Sequence, residues 1–458
     1  MTLFCLCWLF TADAAKKRAN VIIIYADDLG YGDLQCYGHP TFKTPNLDQM
    51  AAEGARLTRF YSTAPYCAPS RAALLTGRYQ FRSGVLQNPS PDAGIDNVGI
   101  PQDEMTLGEA FQGAGYKTAC FGKWHLGHQK KFYPVNNGFD EYFGILYSND
   151  MRPVQLVEGE EVVEHPVDQR QLTKRYTDRA IQFITTNKEK DFFLYLPHAM
   201  PHKPLAASNE FYDKSRAGLY GDVISELDAN VGRLLAVLKD LKIDRETLVF
   251  FSSDNGPWYG GSTGGLRGMK ASAFEGGIRV PLIARWPGMI PVGTVNDSMA
   301  CTMDLFVTSL DVAGIPLPTA RAIDGRNIMP LLTDRNAPTP HDALFSIVGP
   351  RLSTIQKDGW KLHVYKPGQR RTMRPGEEWL DPRAPDGLTI LAQPEQSHPS
   401  EYPGLLSGDM PTLMMLFNLK IDPGEQHNVA KENPREVKKL KTIHSAMEKQ
   451  MIEAGKTK

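Results

Sequence analysis

The chain has 458 residues, of which 41% are hydrophobic and 22% are charged, an ordinary composition for a globular protein with a large core. Its 51 basic and 52 acidic residues give a formal net charge of −1, which excludes a global field that would draw the protein to nucleic acid or to an anionic membrane. Any binding of anions must therefore come from a local cluster of positive charges.

Residues 1–15 predict a cleaved export signal. A short apolar run over residues 1–10 precedes Ala12-Asp13-Ala14, which resembles a signal-peptidase site, and the run is too short to span a bilayer. The basic segment that usually precedes such a run is missing, so either the true start lies upstream or these residues are a poorly formed first strand. We expect an exported protein, periplasmic or extracellular, with no stable membrane insertion.

Four short apolar runs predict strands that are buried on both faces of a sheet: residues 21–25, 118–121, 192–196 and 248–251. Amphipathic patterns between them predict helices near residues 44–54, 171–187 and 221–241. This alternation predicts an α/β domain over residues 16–340, with a large central mixed, mainly parallel sheet flanked by helices.

The amino-acid composition of the chain changes after about residue 334. Residues 360–365 and 413–419 predict short strands, and the pattern after Pro434 predicts a final amphipathic helix. We therefore expect a smaller α+β subdomain over residues 341–458 with a short antiparallel sheet. Residues 366–409 are too long for a simple connector and predict an insertion that sets specificity, with an irregular surface loop as the alternative.

Chemically useful side chains follow each of the four predicted strands: Asp27 and Asp28, then Lys123 and His125, then His202, and finally Asp254 and Asn255. Ligands of open α/β sheets bind beyond the carboxyl ends of the strands, so these residues predict one convergent site. Lys123 and His125 occupy alternate positions of a segment that we predict to be extended, so we expect both side chains to face the same way.

The acidic residues of this set predict a metal site. Asp27, Asp28, Asp254 and Asn255 supply only oxygen ligands, which suit Ca²⁺ or Mg²⁺ better than zinc. The alternative is that the Asp-Asp pair caps a helix or a turn. Two strand ends that offer the same ligand chemistry favour the metal.

A second motif is Cys67-Ala-Pro69-Ser-Arg71, followed by Leu-Thr-Gly77-Arg78. Pro69 is suited to open a helix and Gly77 to close it, which places Cys67 at a helix N-terminus that favours anions. Arg71 lies one turn further on and is expected to point the same way. Taken alone, Cys67 could equally be a small buried hydrophobic residue.

Lys270 lies within a glycine-rich run over residues 260–277, where glycines permit close approach of the backbone to a ligand and the lysine adds a mobile charge. A solvated lysine is the alternative, because the run does not match a phosphate-binding loop. The four cysteines outside the export signal allow at most one disulfide if Cys67 is consumed by chemistry.

Together these segments resemble the sulfatase family, of the arylsulfatase type, within the alkaline phosphatase superfamily. The matching pieces lie at residues 25–30, 67–78, 122–127, 253–256, 270–281 and 417–428, and the resemblance runs from residue 19 to about residue 451. It implies an alkaline phosphatase-like fold and hydrolysis of sulfate monoesters. It also implies that Cys67 is oxidised to formylglycine by a maturation enzyme, and that Ca²⁺, with Mg²⁺ the lesser choice, is bound by the acidic set and by residue 67.

The resemblance further implies a role for each side chain. One hydroxyl of the aldehyde hydrate at residue 67 attacks sulfur, oriented by Arg71, while Lys123 and Lys270 hold the nonbridging oxygens. His202 then protonates the leaving alcohol. His125 takes the proton whose loss lets sulfate depart. Ser148 falls where some family members place a hydroxyl that contacts substrate.

The expected substrate is a sulfated small molecule or glycan, most simply a carbohydrate sulfate ester. Alternatives on the same scaffold are a hydrolase of phosphomonoesters, phosphodiesters or phosphonates, and a non-catalytic protein that binds sulfated glycans. A thiol hydrolase that uses unmodified Cys67 is a third. The identity of the sugar, the hydroxyl, exo or endo action and the oligomeric state stay open, because loops at residues 147–165 and 366–409 would set specificity.

Overall fold

The computed structural model describes residues 18–151, 154–215, 217–258, 260–368 and 408–456. The predicted export signal and most of the predicted insertion at residues 366–409 lie outside these ranges. Within them, no helix combines the length and the apolar character that a membrane crossing requires.

The strands of the described chain are β1 Asn20–Ala26, β2 Ala55–Tyr61, β3 Lys117–Lys123, β4 Glu141–Ile145, β5 Leu156–Glu158, β6 Glu161–Glu164, β7 Phe192–Pro197, β8 Thr247–Ser253, β9 Arg279–Arg285, β10 Thr294–Asn296, β11 Ala300–Cys301, β12 Leu344–Val348, β13 Arg351–Lys357, β14 Trp360–His363 and β15 Met415–Asn418. Its α-helices are α1 Pro45–Ala52, α2 Cys67–Thr76, α3 Gln80–Ser83, α4 Leu107–Gly113, α5 Leu172–Thr186, α6 Gly218–Asp240, α7 Glu275–Ile278, α8 Asp304–Val312, α9 Met329–Thr333 and α10 Pro434–Lys456.

Eleven of the described strands form one sheet, in the order β10-β2-β9-β8-β1-β7-β3-β4-β5-β6, with β11 beside β2. The predicted strands are β8, β1, β7 and β3, and they are consecutive and parallel. β9 runs antiparallel to both β8 and β2, and the β5–β6 hairpin inside the loop at residues 147–165 extends the other edge. The prediction of a mixed, mainly parallel sheet is confirmed.

Helices cover both faces of this sheet because its central strands are apolar on both sides. In β1, Ile22 and Ile24 belong to a buried cluster with residues of α1, α5 and α6. Val21 and Ile23 belong to a second cluster with residues of α2, α4 and α8. The strand is therefore buried on both faces, as its continuous run of β-branched residues predicted.

The predicted helices are present as α1, α5 and α6. The helix of the Cys67 motif begins at Cys67 itself, two residues before Pro69, and Gly77 ends it in the left-handed conformation with φ 66°. Cys36, Cys67, Cys120 and Cys301 are all unpaired thiols, as expected for a fold that does not depend on disulfides.

A separate antiparallel sheet of four described strands, in the order β12-β13-β14-β15, follows the large sheet. Its apolar side chains form one cluster with Leu440 and Met451 of α10 and with Tyr61 and Ile278 of the main domain. The small α+β unit is confirmed, while the domain boundary near residue 340 stays a prediction.

Two glycines let β3, β4 and β7 approach closely just before Lys123. A Cβ on Gly144 would lie 1.8 Å from the Gly122 carbonyl oxygen. Gly122 itself has φ 135°, and a Cβ there would lie 1.9 Å from the Pro197 carbonyl oxygen. The carboxyl ends of these strands can therefore meet in one place only because neither Gly122 nor Gly144 carries a side chain.

We predict that Gly144→Ala destabilises the protein by about 1–3 kcal/mol, because the added methyl overpacks backbone that cannot yield. Denaturant unfolding provides the measurement. Gly113→Ala is the matched control, since nothing lies within 4 Å of a Cβ at that helical position and alanine is the better helix former. Equal free energies of unfolding for Gly144→Ala and the parent would contradict the predicted close approach.

Candidate active site

The loop after β1 presents two adjacent carboxylates at the carboxyl edge of the sheet. The backbone N–H of Asp27 donates to the Met200 carbonyl at 3.2 Å, and that of Asp28 donates to Asp254 Oδ1 at 3.1 Å. Asp28 has φ 62°, a left-handed conformation that aspartate tolerates better than most residues. This turn aims both side chains into the same buried space.

The carboxylate of Asp27 is the centre of the cluster. Lys123 Nζ donates to Oδ2, Cys67 Sγ lies 3.3 Å from Oδ1, and Arg71 Nη2 lies 3.5 Å from Oδ1. Burial alone would raise the pKa of Asp27, but the charges of Lys123, Arg71 and Lys270 outweigh it and hold that pKa well below its usual value. Asp27 is therefore ionised.

Asp28 binds the lysine of the glycine-rich run. Lys270 Nζ lies 2.6 Å from Asp28 Oδ1 and donates to Oδ2 at 2.8 Å. Burial opposes the charge of Lys270, but Asp28 and then Cys67 raise its pKa above the usual value. Asn255 Nδ2 donates to Asp28 Oδ1 at 2.7 Å, while its buried Oδ1 has no partner in the described chain.

Arg71 connects the helix of the cysteine motif to two strand ends. Its Nε and Nη2 donate to Asp254 Oδ2 at 3.0 and 2.8 Å, and its Nη1 donates to the Lys123 carbonyl at 2.8 Å. Burial and the neighbouring Asp27 raise the pKa of Asp254 to about 7 in spite of Arg71. Such bidentate contact requires the planar guanidinium, which lysine cannot replace.

Cys67 is fully buried at the first position of α2, with Lys270 Nζ 3.3 Å from its Sγ. Burial, followed by the charges of Asp254 and Asp27, raises the pKa of this thiol well above its usual value. The helix N-terminus and the two nearby lysines do not overcome that effect. Burial and the two carboxylates therefore favour the protonated form of the encoded thiol.

Ser148 and His202 extend the cluster beyond Lys123. Lys123 Nζ donates to Ser148 Oγ at 3.0 Å, and Ser148 Oγ lies 3.4 Å from His202 Nε2. His202 Nδ1 lies 2.5 Å from the Lys203 carbonyl oxygen, so Nδ1 carries the proton of the neutral ring and any second proton must sit on Nε2. Burial, followed by the charge of Lys270, lowers the pKa of His202.

His125 reaches the site by a different route from the predicted one. β3 ends at Lys123, and His125 adopts a left-handed φ of 56°, so the prediction that both residues alternate along an extended segment is wrong. Burial, followed by the charges of Lys123 and Arg71, holds the pKa of His125 well below its usual value. Both ring nitrogens are buried without a partner in the described residues, and the lowered pKa keeps the ring neutral.

The structure therefore brings all of the predicted site residues together: Asp27, Asp28, Cys67, Arg71, Lys123, His125, Ser148, His202, Asp254, Asn255 and Lys270. Ligand atoms of Asp27, Asp28, Cys67 and His202 all lie within 4.8 Å of one another, a grouping that adds His202 to the predicted metal set. The sequence had assigned that histidine to the leaving group instead.

A buried network behind the glycine-rich run was missed from the sequence. Lys361 Nζ donates to Glu275 Oε1 at 3.0 Å and to Glu425 at 3.2 Å, and His363 Nε2 lies 2.6 Å from Glu425 Oε1. The only sequence signal is that Lys361 and His363 alternate with apolar residues in a strand. The network joins α7 to the small sheet.

A second group of metal-ligand type, Cys301, Asp304 and His341, lies at the start of α8. The carboxylate of Asp304 accepts hydrogen bonds from the backbone N–H groups of Cys301 and Arg326, and His341 Nε2 lies 2.9 Å from it. Because these oxygens are already satisfied, we interpret the group as a structural clamp on the helix start.

The family model described as Sulfatase matches residues 19–315. The chain is 37% identical to N-acetylgalactosamine-6-sulfatase of Canis lupus familiaris, over 91% of this chain and 82% of that protein. It is 34% identical to arylsulfatase A of Homo sapiens, over 94% of this chain and 88% of that protein. The crystal structure of the PsFucS1 sulfatase from Pseudoalteromonas sp. superposes with a TM-score of 0.78 at 26% identity, covering 95% of this chain and 91% of that one.

The two curated relatives and the PsFucS1 structure cover 91–95% of this chain. The chain belongs to the sulfatase family and is a sulfuric ester hydrolase with the alkaline phosphatase-like fold.

Proposed function

We propose that this enzyme hydrolyses the sulfate esters of sugars, with residue 67 working as formylglycine and with Ca²⁺ bound beside it. The observation that carries the proposal is the position of Cys67 Sγ, 3.3 Å from both Asp27 Oδ1 and Lys270 Nζ. A side chain there touches the candidate metal ligands and a candidate sulfate-binding cation at once. The names of the relatives, which include a sulfatase of N-acetylgalactosamine, support a sugar as the alcohol.

The donor set fits a hard divalent cation. Asp27, Asp28, Asp254 and Asn255 are all buried and offer only oxygen, and the Oδ1 atom of Asn255 has no partner in the described chain. These four residues would hold the ion, together with residue 67. Oxygen-rich sets of this kind suit Ca²⁺, and Mg²⁺ less well because it retains several waters.

The balance of charge supports an anionic substrate. The described cluster has three carboxylates, those of Asp27, Asp28 and Asp254, and three cations, those of Arg71, Lys123 and Lys270. The pKa values of His125 and His202 are lowered, so both rings add little charge. A divalent cation would therefore make the site net positive, which attracts a sulfate monoester in a region that excludes water.

When present, the aldehyde hydrate would supply a regenerable oxygen nucleophile and the cation would polarise the sulfate. Lys123 and Lys270 are positioned to bind nonbridging oxygens as pre-organised charges. When His202 is protonated, its second proton lies at Nε2, from which it would be donated to the leaving alcohol. His125, which is neutral and has an unpaired ring nitrogen, is the proposed acceptor of the proton that must be removed before sulfate leaves.

Maturation and export complete the proposal. Oxidation of Cys67 requires a formylglycine-generating enzyme to reach the chain before folding buries the thiol, since Cys67 is 0% exposed. Export through the signal predicted at residues 1–15 is consistent with a sugar substrate outside the cytoplasm.

We predict that the matured enzyme hydrolyses an aryl sulfate much faster than the matching aryl phosphate, and that Cys67→Ala abolishes both rates. Loss of a nucleophile costs on the order of 10⁶-fold in kcat in a well-studied hydrolase. Labelling with a carbonyl reagent, followed by peptide mass spectrometry, checks for the aldehyde at residue 67. Cys36→Ala is the control, because that half-buried thiol lies outside the site. A fully active enzyme with an unmodified thiol would refute the proposal, and a preference for phosphate would reassign the substrate.

We also predict that a chelator lowers both activity and thermal stability, and that Ca²⁺ restores them better than Mg²⁺. An ion present at 100 times its Kd stabilises the folded state by about 2.7 kcal/mol. Asn255→Ala should raise the Ca²⁺ concentration needed for half-maximal recovery, whereas His341→Gln in the second cluster should not. An unfolding temperature that is indifferent to chelator and to Ca²⁺ would count against a bound cation.

A further inference from the structure

A cleft of about 330 Å³ lies beside the candidate active site, between the glycine-rich run and the small antiparallel sheet. Its walls include Ala271, Ala273, Arg351, His363, Tyr365 and Lys366. Small-molecule sites begin at about 300 Å³, so the cleft has room for a single sugar residue.

The cleft adjoins the reacting centre through the backbone. Ala271 directly follows Lys270, and its N–H donates to the carbonyl of Pro65 at 3.0 Å, two residues before Cys67. Next to the lining residue Val348, the N–H of Ile347 donates to the carbonyl of Thr63 at 2.8 Å. The wall of the cleft is therefore joined to Lys270 by one peptide bond and to the segment before Cys67 by a backbone hydrogen bond.

Two exposed cations flank the cleft. Arg351 and Lys366 are exposed, and neither forms an ion pair with a described residue. The guanidinium carbon of Arg351 lies 5.4 Å from the centre of the Tyr365 ring, whose hydroxyl donates to Glu448 Oε1 at 2.9 Å. These contacts hold the arginine and the ring in place while leaving the charge of Arg351 available.

His363 adds a buried, unsatisfied acceptor to the same cleft. Its side chain is nearly inaccessible, and its Nε2 lies 2.6 Å from Glu425 Oε1, a carboxylate that accepts and so keeps the ring proton on Nε2. Nδ1 is then a bare acceptor, and it has no partner in the described residues. An unpaired buried acceptor is costly unless a ligand supplies a donor, and a sugar hydroxyl is one.

We propose that this cleft is a subsite for an acidic sugar residue next to the sugar that bears the scissile sulfate. Arg351 and Lys366 bind the carboxylate or second sulfate of that residue, and His363 Nδ1 accepts from one of its hydroxyls. The subsite rests on the proposed hydrolysis of sugar sulfates and narrows the substrate to polyanionic glycans. It also makes Arg351 a specificity residue of the enzyme.

Competition against hydrolysis of an aryl sulfate tests the subsite with the full matured chain. The probes form two pairs: N-acetylgalactosamine 6-sulfate linked to glucuronate against its carboxyl-reduced counterpart, and N-acetylgalactosamine 4,6-disulfate against the 6-sulfate. In the parent enzyme we expect the more acidic member of at least one pair to bind about tenfold more tightly, as judged by its inhibition constant. The glucuronate pair tests whether the cleft binds a carboxylate, and the disulfate pair tests whether it binds a second sulfate.

In the double variant Arg351→Gln,Lys366→Gln we expect the ratio of the two inhibition constants within that pair to fall to near one. Arg335 is an exposed arginine on a loop after α9, and the control variant Arg335→Gln should leave the ratio unchanged. The ratio compares two ligands on one protein, so a partial loss of folded enzyme does not mimic the effect. Equal inhibition constants within both pairs for the parent, no inhibition by any probe, or an unchanged ratio in the double variant would overturn the subsite. Failure to hydrolyse the aryl sulfate would instead refute the proposed function.

Discussion

The ionised carboxylate of Asp27 is the constraint around which the structure is organised. A buried charge costs several kcal/mol unless partners compensate for it, and here the partners come from three distant segments. Lys123 arrives on β3, Arg71 on α2 and Lys270 on the glycine-rich run. The charges meet only if the strand order is correct, so the packing of the sheet and the balance of charge support each other.

This dependence explains which features were predictable from the sequence. The strands β1, β3, β7 and β8 were recognisable because they are continuous apolar runs, and parallel strands of an open sheet bring the residues at their carboxyl ends to one edge. Asp27, Lys123, His202 and Asp254 could therefore be grouped without coordinates. The motif around Cys67 joined the same group through a family resemblance, not through periodicity.

Other features depend on distant contacts and were not predictable in this way. The prediction that His125 continues the alternation of an extended segment was wrong, because β3 ends at Lys123. His125 then adopts a left-handed conformation that no local sequence pattern indicates. The backbone N–H of Glu275 donates to the Glu425 carboxylate, and the Glu275 carboxylate accepts from Lys361; these contacts join segments far apart in the chain, where the sequence shows only isolated charges. The pKa of Asp254 is likewise a property of its assembled neighbours.

The segment from Lys270 to Glu275 links the buried cluster of the candidate active site to the cleft. At one end Lys270 contacts Asp28 and Cys67, and at the other Glu275 is buried against Lys361 of the small sheet. The wall of the cleft lies between these two anchors, at Ala271 and Ala273. Because both ends are fixed by buried ion pairs, the segment cannot shift at one end without straining the other. The small sheet therefore anchors the segment that carries Lys270 and the wall of the cleft, which is a physical reason for it to remain attached to the main domain.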